Sequence, residues 1–166
     1  MEFKNWLKLF EDYALKASLE NVPYNVYVDN KGFGPHLKID GVGEILLYLN
    51  NVDKPYYNVN NIKGETHGAG TILYFAALEY ILRHGLRKAV GQLASDTIVS
   101  SDAIRARKRL QDHYGDYLYI YPHPEADRVK VHNWSSDRKK ATAEEATMWR
   151  LKKLPPFEFN FINLPA

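Results

Sequence analysis

Apolar and polar residues alternate with a period of two from Tyr24 to Asp29, and three further short stretches of strand type follow before Ile62. This alternation is typical of strands that bury one face of a sheet. Short turns rich in Gly, Asn and Asp interrupt the stretches, and strands joined by such turns pair antiparallel. The pattern therefore predicts an antiparallel meander with strands at Tyr24–Val28, Gly34–Asp40, Glu44–Asn50 and Tyr56–Ile62.

Two other stretches repeat their apolar residues with the period of a helix. Residues 3–18 place them on one stripe, which predicts an amphipathic helix packed on the sheet. From Thr71 to Arg83 they occupy most faces, which predicts a buried helix, and Gly85 stands just past its end. A strand at Arg87–Ala94 follows, and a strand–helix–strand unit of this length pairs parallel.

The second half of the chain has shorter elements. A polar loop, Ser95–Asp102, precedes a predicted helix at Asp102–His113, and Ser101 or Asp102 could cap that helix. The other predictions are a strand at Tyr117–Tyr121, a strand at Arg128–His132 that could return as a hairpin, a short helix near 143–151 and an apolar tail at Phe157–Phe161. Together the elements predict one α/β (α+β) domain over residues 1–166, with a mixed, mostly antiparallel central sheet flanked by helices.

Composition narrows the class of protein. Hydrophobic residues make up 45% of the chain and charged residues 25%, as in ordinary globular domains. The absence of Cys excludes disulfides and thiolate metal sites, and the six His lack the spacing of a zinc site, so we predict no metal. A net charge of +2 is too small to indicate nucleic-acid binding by itself. With no visible signal peptide and no apolar run long enough for a membrane span, we expect a cytoplasmic protein without a membrane partner.

A short glycine loop, His67-Gly68-Ala69-Gly70, connects the fourth predicted strand to the buried helix. Glycines let a backbone approach a ligand closely, and the free N–H groups at a helix start suit an anion. The loop therefore has the features of a phosphate or pyrophosphate site. The alternative is a tight turn that needs Gly only for its backbone dihedral angles. In the first case His67 could donate a hydrogen bond to a phosphate or act as a base near neutral pH. In the second it is a surface residue with no chemical role.

The order of elements and several motifs resemble one enzyme family. The segment Thr66-His-Gly-Ala-Gly-Thr-Ile-Leu-Tyr74 resembles the acyl-CoA pyrophosphate loop and central helix of the GNAT (Gcn5-related N-acetyltransferase) superfamily. Leu93-Ala-Ser-Asp96, Ser100-Ser-Asp-Ala103 and Arg109-Leu110 resemble the strand, loop and helix that follow in that family. The resemblance is closest to divergent phage-encoded members, and it implies a GNAT-like sheet splayed beside the central helix.

The resemblance also implies a cofactor and a reaction. The loop amides would bind the pyrophosphate of acetyl-CoA or another acyl-CoA, and the strand Tyr56–Ile62 would contact the pantetheine arm. An amine acceptor, which the sequence does not identify, would attack the thioester directly. Asp96 could orient or deprotonate that amine, and Ser101 is a second candidate catalytic residue, with helix capping as the alternative role. The implied cofactor-binding residues are Thr66, His67, Gly68, Ala69, Gly70 and Thr71.

Two positions depart from the family pattern. Glu65 stands where the family has Arg or Gln, and a carboxylate there would repel a pyrophosphate unless its side chain points away. Arg107 stands where the family often has a Tyr that protonates the leaving thiolate.

Two alternative functions remain open from the sequence. The first is a phage structural or virion-internal protein that keeps the fold without catalysis and binds a virion partner or a second copy of itself. The second is a protein that binds or modifies nucleic acid through basic residues and stacking aromatic rings. The residues concerned are Arg105, Arg107, Lys108 and Arg109 together with Tyr117, Tyr119 and Tyr121. The alternative explanation is that the basic residues lie on solvated helix faces and that the tyrosines pack in the ordinary way.

Overall fold

The computed structural model describes residue 3 and residues 23–30, 32–85, 92–95, 98–132 and 138–165. The helix predicted at residues 3–18 therefore lies outside the described residues, apart from Phe3. The strands are β1 (Pro23–Asp29), β2 (His36–Ile39), β3 (Gly43–Asn50), β4 (Tyr56–Gly64), β5 (Leu93–Ser95), β6 (Ile98–Ser100), β7 (Leu118–Pro122), β8 (Lys130–His132), β9 (Arg138–Lys140), β10 (Thr147–Leu151) and β11 (Glu158–Asn163). The helices are α1 (Ala69–His84) and α2 (Ser101–Tyr114).

Eight of the strands form the central sheet, in the order β11-β1-β2-β3-β4-β5-β10-β7. The pairs β1–β11 and β4–β5 are parallel, and the other pairs within this sheet are antiparallel. A mixed, mostly antiparallel sheet flanked by helices was predicted, and this fold class is confirmed. The remaining strands form a separate sheet in the order β6-β8-β9.

The predicted meander is confirmed as β1 to β4. Each strand pairs antiparallel with the next, and the alternate apolar residues of β1, Val26 and Val28, are fully buried. The turn between β2 and β3 requires glycine at Gly43, which has φ 144°. A Cβ atom there would lie 2.0 Å from the carbonyl oxygen of Lys63 on β4. The backbone of the turn therefore sits directly against the neighbouring strand.

Helix α1 forms the centre of the core, as its apolar faces predicted. It packs on β2, β3, β4 and β10. At its end the N–H of Gly85 donates to the carbonyl oxygen of Ile81 at 3.0 Å. Gly85 has an extended backbone, and a Cβ atom there would lie 2.3 Å from that same oxygen. Glycine is needed at this helix end because of the close approach and not because of a left-handed φ.

The region after α1 agrees with the prediction in part. The predicted parallel pairing is confirmed between β4 and β5, although residues 86–91 of the predicted strand lie outside the described residues. The predicted polar loop is wrong at Ile98–Ser100, which is strand β6. The capping prediction is also wrong, because Ser100 is the N-cap and its Oγ accepts the N–H of Ala103 at 3.1 Å. Ser101 and Asp102 instead begin α2.

Two predictions near the C-terminus are wrong. Strand β8 does not form a hairpin with β7, because β7 pairs with β10, and β8 pairs with β6 and β9. The predicted short helix near 143–151 is strand β10 over Thr147–Leu151, inserted between β5 and β7. A short apolar run that is buried on both faces has no clear period, so helix and strand cannot be distinguished from it. The apolar tail is strand β11, which pairs parallel with β1.

One buried charge on α1 makes stability depend on pH. Glu79 is only 4% exposed, and its Oε1 atom lies 3.7 Å from Arg83 Nη2. Burial raises the pKa of Glu79, and the positive charge of Arg83 opposes that rise. The folded state thus binds the carboxyl proton more tightly than the unfolded state does. This contribution to stability is fully present below the unfolded pKa and is lost as pH rises through the folded pKa.

We therefore expect Glu79→Gln to raise the free energy of unfolding near pH 7 by about 1 kcal/mol, the lower end of the cost of burying an incompletely paired polar group. The difference from wild type should shrink as pH falls towards the acid range, because both side chains are then neutral. Urea unfolding across that pH range measures this. Arg83→Gln is the control, and it should lower stability near neutral pH because it removes the charge that favours the carboxylate. A pH-independent effect of Glu79→Gln would contradict the expectation.

Candidate functional site

A cleft opens where β4 separates from β5. The two strands pair only at Tyr57–Val59, whereas β4 continues to Gly64. Beyond Val59, the edge of β4 that faced β5 has no further strand partner among the described residues. A cleft of about 260 Å³ lies between this part of β4, β6 and the start of α2. Its lining residues are Val59, Asn60, Asn61, Ile62, Tyr74, Ile98, Val99, Ser100, Ala103 and His132.

The glycine loop leads from β4 into α1 at one side of this cleft. Gly68 is the N-cap of α1 and has φ 81°, a left-handed conformation that favours glycine. Gly68 has no side chain, and no side-chain hydrogen bond at this position caps the helix. The N–H of Ala69 donates to the carbonyl oxygen of Thr66 at 3.2 Å. The next amides, of Gly70 and Thr71, lie in the first turn, where a helix has no intrahelical acceptors for its N–H groups.

The predicted cofactor-binding residues are brought together by this turn. Thr66 and His67 are exposed, Gly68, Gly70 and Thr71 are half-buried, and Ala69 is buried. One turn further along α1, Tyr74 lines the cleft, so the same helix connects the loop to the cleft. A Cβ atom at Gly70 would meet only Ala106 Cβ at 3.8 Å among its nearest neighbours, which is an ordinary contact. Packing within the protein therefore does not require glycine at this position.

Glu65, the residue that departs from the family pattern at the start of the loop, is fixed by a backbone hydrogen bond. Its N–H donates to the carbonyl oxygen of Val42 at 2.7 Å. The residue itself is exposed, so its carboxylate is in contact with solvent. Water reduces the repulsion between such a carboxylate and an anion bound at the helix start.

Of the two predicted catalytic residues, the structure describes only Ser101. Asp96 lies outside the described residues. Ser101 is the first residue of α2 and is half-buried, and it is not among the residues that line the cleft. Its neighbour Ser100 does line the cleft, and the Ser100 hydroxyl is engaged as the helix cap.

Tyr74, Arg107 and Trp149 form a buried cluster next to the cleft that was not predicted from the sequence. The guanidinium carbon of Arg107 lies 4.1 Å from the Trp149 ring centroid and 5.9 Å from that of Tyr74. The Tyr74 and Trp149 rings meet edge to face at 5.2 Å. Arg107 Nη2 donates to the carbonyl oxygen of Thr147 at 2.6 Å and to its Oγ1 at 3.1 Å. Arg107 thus ties α2 to β10.

A signal for the burial of Arg107 was present in the sequence. Arg107, Leu110 and Tyr114 follow the i, i+3, i+7 spacing of one helix face, and all three are buried. The basic residues on both sides of Arg107 obscure this spacing. The predicted basic cluster is consequently not one exposed surface, because Arg107 is only 2% exposed whereas Arg105, Lys108 and Arg109 are exposed.

Burial also sets the protonation of this cluster. Burial raises the pKa of Tyr74, and the charge of Arg107 opposes the rise. The phenol is therefore protonated at neutral pH. Burial lowers the pKa of Arg107, and the Tyr74 hydroxyl opposes that change. A guanidinium keeps its charge at neutral pH because its ordinary pKa is so high. The lining of the cleft thus includes a protonated hydroxyl that lies beside a fixed positive charge.

The alternating tyrosines, Tyr119 and Tyr121 in β7 and Tyr117 just before it, have different environments. Tyr119 is 39% exposed, and the charged groups of Arg150 and Lys152 lie 4.9 Å and 5.7 Å from its ring centroid. Tyr117 packs against the main core, and Tyr121 packs against a small cluster around Tyr56. The three rings therefore do not form one open stacking surface.

Comparisons with known proteins found no match among family models, curated proteins or solved structures. Within the described parts of the chain, neither helix is long and apolar enough to cross a membrane.

Proposed function

We propose that this protein is a divergent GNAT-type N-acyltransferase that transfers an acetyl or other acyl group from acyl-CoA to an amine. The observation that carries the proposal is the cleft between β4 and β6, which lies beside a helix start without a side-chain cap. This arrangement offers one site for an anion and an adjacent channel for an extended arm. A phage origin and a site of action in the cytoplasm of the infected cell belong to the same proposal.

The pyrophosphate of the cofactor would bind at the start of α1. Backbone N–H groups there are oriented along the helix axis, and the helix dipole favours negative charge at this end. Gly70 supports this placement, because the protein leaves space for a Cβ atom that the sequence does not use. The exposure of Glu65 is compatible with it, since the carboxylate can remain in solvent.

The pantetheine arm would lie along β4 beyond Val59. The edge of β4 there has no strand partner among the described residues, so its N–H and C=O groups can pair with an extended ligand. Pantetheine contains two amide groups, and an extended amide chain can add to a sheet edge by main-chain hydrogen bonds. Ile62 on β4 and Val99 on β6 give the cleft apolar walls.

Acyl transfer would form a C–N bond to the acceptor amine and break the C–S bond of the thioester. A base takes the proton that the amine loses, and the leaving thiolate takes up a proton. Arg107 cannot supply that second proton at neutral pH. We assign this role to Tyr74, which holds a proton on its hydroxyl and lines the cleft. Arg107 would stabilise the phenolate until it is reprotonated. Asp96 remains the candidate base from the sequence.

Calorimetry with acetyl-CoA tests the proposal. We expect saturable binding by acetyl-CoA, and pantetheine, which lacks the pyrophosphate, should bind at least about tenfold more weakly because it cannot use the helix start. If millimolar acetyl-CoA produces no heat, the proposed cofactor and the proposed reaction are both contradicted. Equal affinity for pantetheine and acetyl-CoA would show that the pyrophosphate does not bind at the glycine loop.

One observation favours the assembly alternative. Strand β7 is an edge of the central sheet, and its Tyr119 and Ile120 are exposed. Exposed apolar residues on a sheet edge are suited to pairing with another chain. A concentration-dependent oligomer in sedimentation velocity that disappears in Ile120→Lys, together with no acetyl-CoA binding, would support a structural role.

A further inference from the structure

A pocket of about 370 Å³ lies between the second half of α1 and the segment that joins β10 to β11. Helix α1 contributes Glu79 and Arg83 to its wall, and the joining segment contributes apolar residues. No residue of this wall also lines the cleft beside β4. The volume is that of a small-molecule site, and its occupation is independent of the proposed acyltransferase function.

The carboxylate of Glu79 is the reason to regard this pocket as a binding site. The residue is 4% exposed, and a charge so deeply buried is costly unless hydrogen bonds and an opposite charge compensate it. None of the described residues donates a hydrogen bond to this carboxylate, and its oxygens are not fully enclosed atoms. They therefore face the pocket. A charged group that is under-compensated within the fold and faces a pocket is typical of a functional site.

Arg83 does not satisfy this carboxylate. Its Nη2 atom lies 3.7 Å from Oε1 of Glu79, which is longer than a hydrogen bond, and its side chain is 54% exposed. An ion pair with one partner so exposed contributes little. The guanidinium therefore stands at the Oε1 side of the carboxylate and leaves Oε2 open to the pocket.

The charges of the wall favour a cation. Glu158, at the start of β11, adds a second carboxylate, so the wall carries two negative charges against the one positive charge of Arg83. Lys152 and Lys153 stand near in the sequence but are not part of the wall, because each ammonium group lies beside a tyrosine ring, at 5.7 Å and 4.5 Å from its centroid. A bound cation gains from this balance of charge, and an anion would be repelled.

Aromatic and proline residues give the pocket apolar surface. The rings of Phe157 and Phe159 have their centroids 6.2 Å apart, and both residues line the pocket. Pro155 and Pro156 line it as well. Aromatic rings attract a cation through their electron-rich faces, and apolar walls suit an organic substituent. The pocket thus combines an open carboxylate oxygen with a surface for an organic group.

We infer that this pocket binds a small organic primary amine in its protonated form, with the ammonium group donating to Oε2 of Glu79 and the organic group against Phe157 and Phe159. An ammonium group is a compact donor that needs one open oxygen, whereas the planar fork of a guanidinium is matched to both oxygens of a carboxylate. A quaternary ammonium has no N–H group, so it leaves the buried carboxylate without a hydrogen bond. Because the pocket is separate from the cleft, this amine is not the acyl acceptor of the proposed reaction.

Methyl NMR of leucine- and isoleucine-labelled protein tests this directly, because Leu154 is an exposed residue of the wall. Titration with benzylamine should shift the Leu154 methyl signals in a saturable way. Benzyl alcohol, which has the same shape without the charge, should produce no saturable shift. No shift of Leu154 at about 10 mM benzylamine would overturn the proposal, since a specific site should be partly filled at that concentration.

Two further outcomes of the titration would also contradict the proposal. Tighter binding of benzylguanidine or of benzyltrimethylammonium than of benzylamine would overturn the assignment to a primary amine. A benzylamine shift confined to Ile98, which lines the cleft beside β4, would place the amine at the proposed acyltransferase site and not at Glu79. The Leu154 signals do not depend on acetyl-CoA, so the two proposals can fail separately.

Removal of the buried carboxylate tests the role of Glu79. Glu79→Gln should weaken benzylamine binding about 10- to 100-fold, the usual loss for hydrogen bonds to a charged group. The variant should fold, because it removes a buried charge that lowers stability near pH 7. Glu144→Gln, the same change at an exposed residue outside this pocket, is the matched control and should bind like wild type. Unchanged binding by Glu79→Gln would contradict the proposal.

Arg83→Gln should have the opposite effect, and it decides the question if Glu79→Gln does not fold. It removes the cation that competes for the carboxylate, so benzylamine should bind about two- to fivefold more tightly, the usual size of an interaction that involves an exposed charge. A purely structural ion pair between Glu79 and Arg83 predicts the reverse, because its loss would disturb the pocket. Equal or weaker binding of benzylamine by a folded Arg83→Gln protein would therefore place the amine away from Glu79.

Discussion

Thr71→Glu is expected to abolish acetyl-CoA binding while the fold remains intact. Thr71 is a half-buried residue of the first turn of α1, where the pyrophosphate would bind. A new carboxylate about 5 Å from a phosphate charge costs about 3 kcal/mol at an effective dielectric constant near 20, which corresponds to a loss of affinity of more than a hundredfold. The same charge favours the helix, because acidic side chains in a first turn stabilise it by about 0.3–1 kcal/mol. Calorimetry and thermal unfolding measure the two effects.

Thr71→Gln is the matched control, since it has the size of Glu without the charge. It should bind acetyl-CoA within a few-fold of wild type. The combination of lost binding and unchanged or higher melting temperature in Thr71→Glu would place an anion at the helix start. Equal losses in both variants would indicate a steric effect, and equal binding in both would show that the pyrophosphate does not lie at this turn.

Trp149→Ala is expected to lower the free energy of unfolding by about 3–5 kcal/mol, the range measured for large aromatic residues removed from protein cores. Trp149 has no exposed surface and lies in β10, between two other strands. Its loss removes the ring beneath Arg107 and the ring contact with Tyr74. The guanidinium would then face an empty space without its aromatic partner. Equilibrium unfolding in urea, followed by circular dichroism, measures the change.

Tyr119→Ala is the control on the neighbouring strand. Tyr119 is partly exposed, and its loss should cost about 1 kcal/mol or less, because it removes only surface contacts with Arg150, Lys152 and Tyr121. An effect of Trp149→Ala as small as this would show that β10 is not a central strand of the cooperative core.

The meander and α1 could be predicted because their signals are local. Alternation and short turns indicated the first four strands, and apolar residues on most faces indicated the helix. Strand β10 could not be predicted in this way. Met148 pairs with Ala94 on one side and Tyr121 on the other, so its conformation depends on partners far away in the sequence. Propensity and period within the segment carry no information on such partners.

The candidate site could also be predicted only in part, and for the same physical reason. The glycine loop was visible because Gly68 and Gly70 stand between a strand pattern and a helix pattern, and Gly68 does adopt the left-handed conformation that glycine favours. The cleft could not be predicted, because its position depends on where β4 stops pairing with β5. That point is set by the register between the two strands, which the sequence of neither strand determines alone. The buried cluster at Arg107 lies between these cases. Its helical spacing was present in the sequence, but the contacts of its guanidinium with Trp149 and Thr147 depend on residues about 40 positions away.

The parallel pairing of β11 with β1 has a consequence for biosynthesis. Strand β1 leaves the ribosome long before β11, and in the finished sheet β2 covers only one of its edges. The nascent chain must therefore carry an open strand edge while all the intervening elements are made. Open edges are the positions where unfinished chains pair wrongly, and contacts between distant segments form slowly. The sheet is therefore complete only after Asn163 has left the ribosome, and a ribosome stalled earlier would present an aggregation-prone edge.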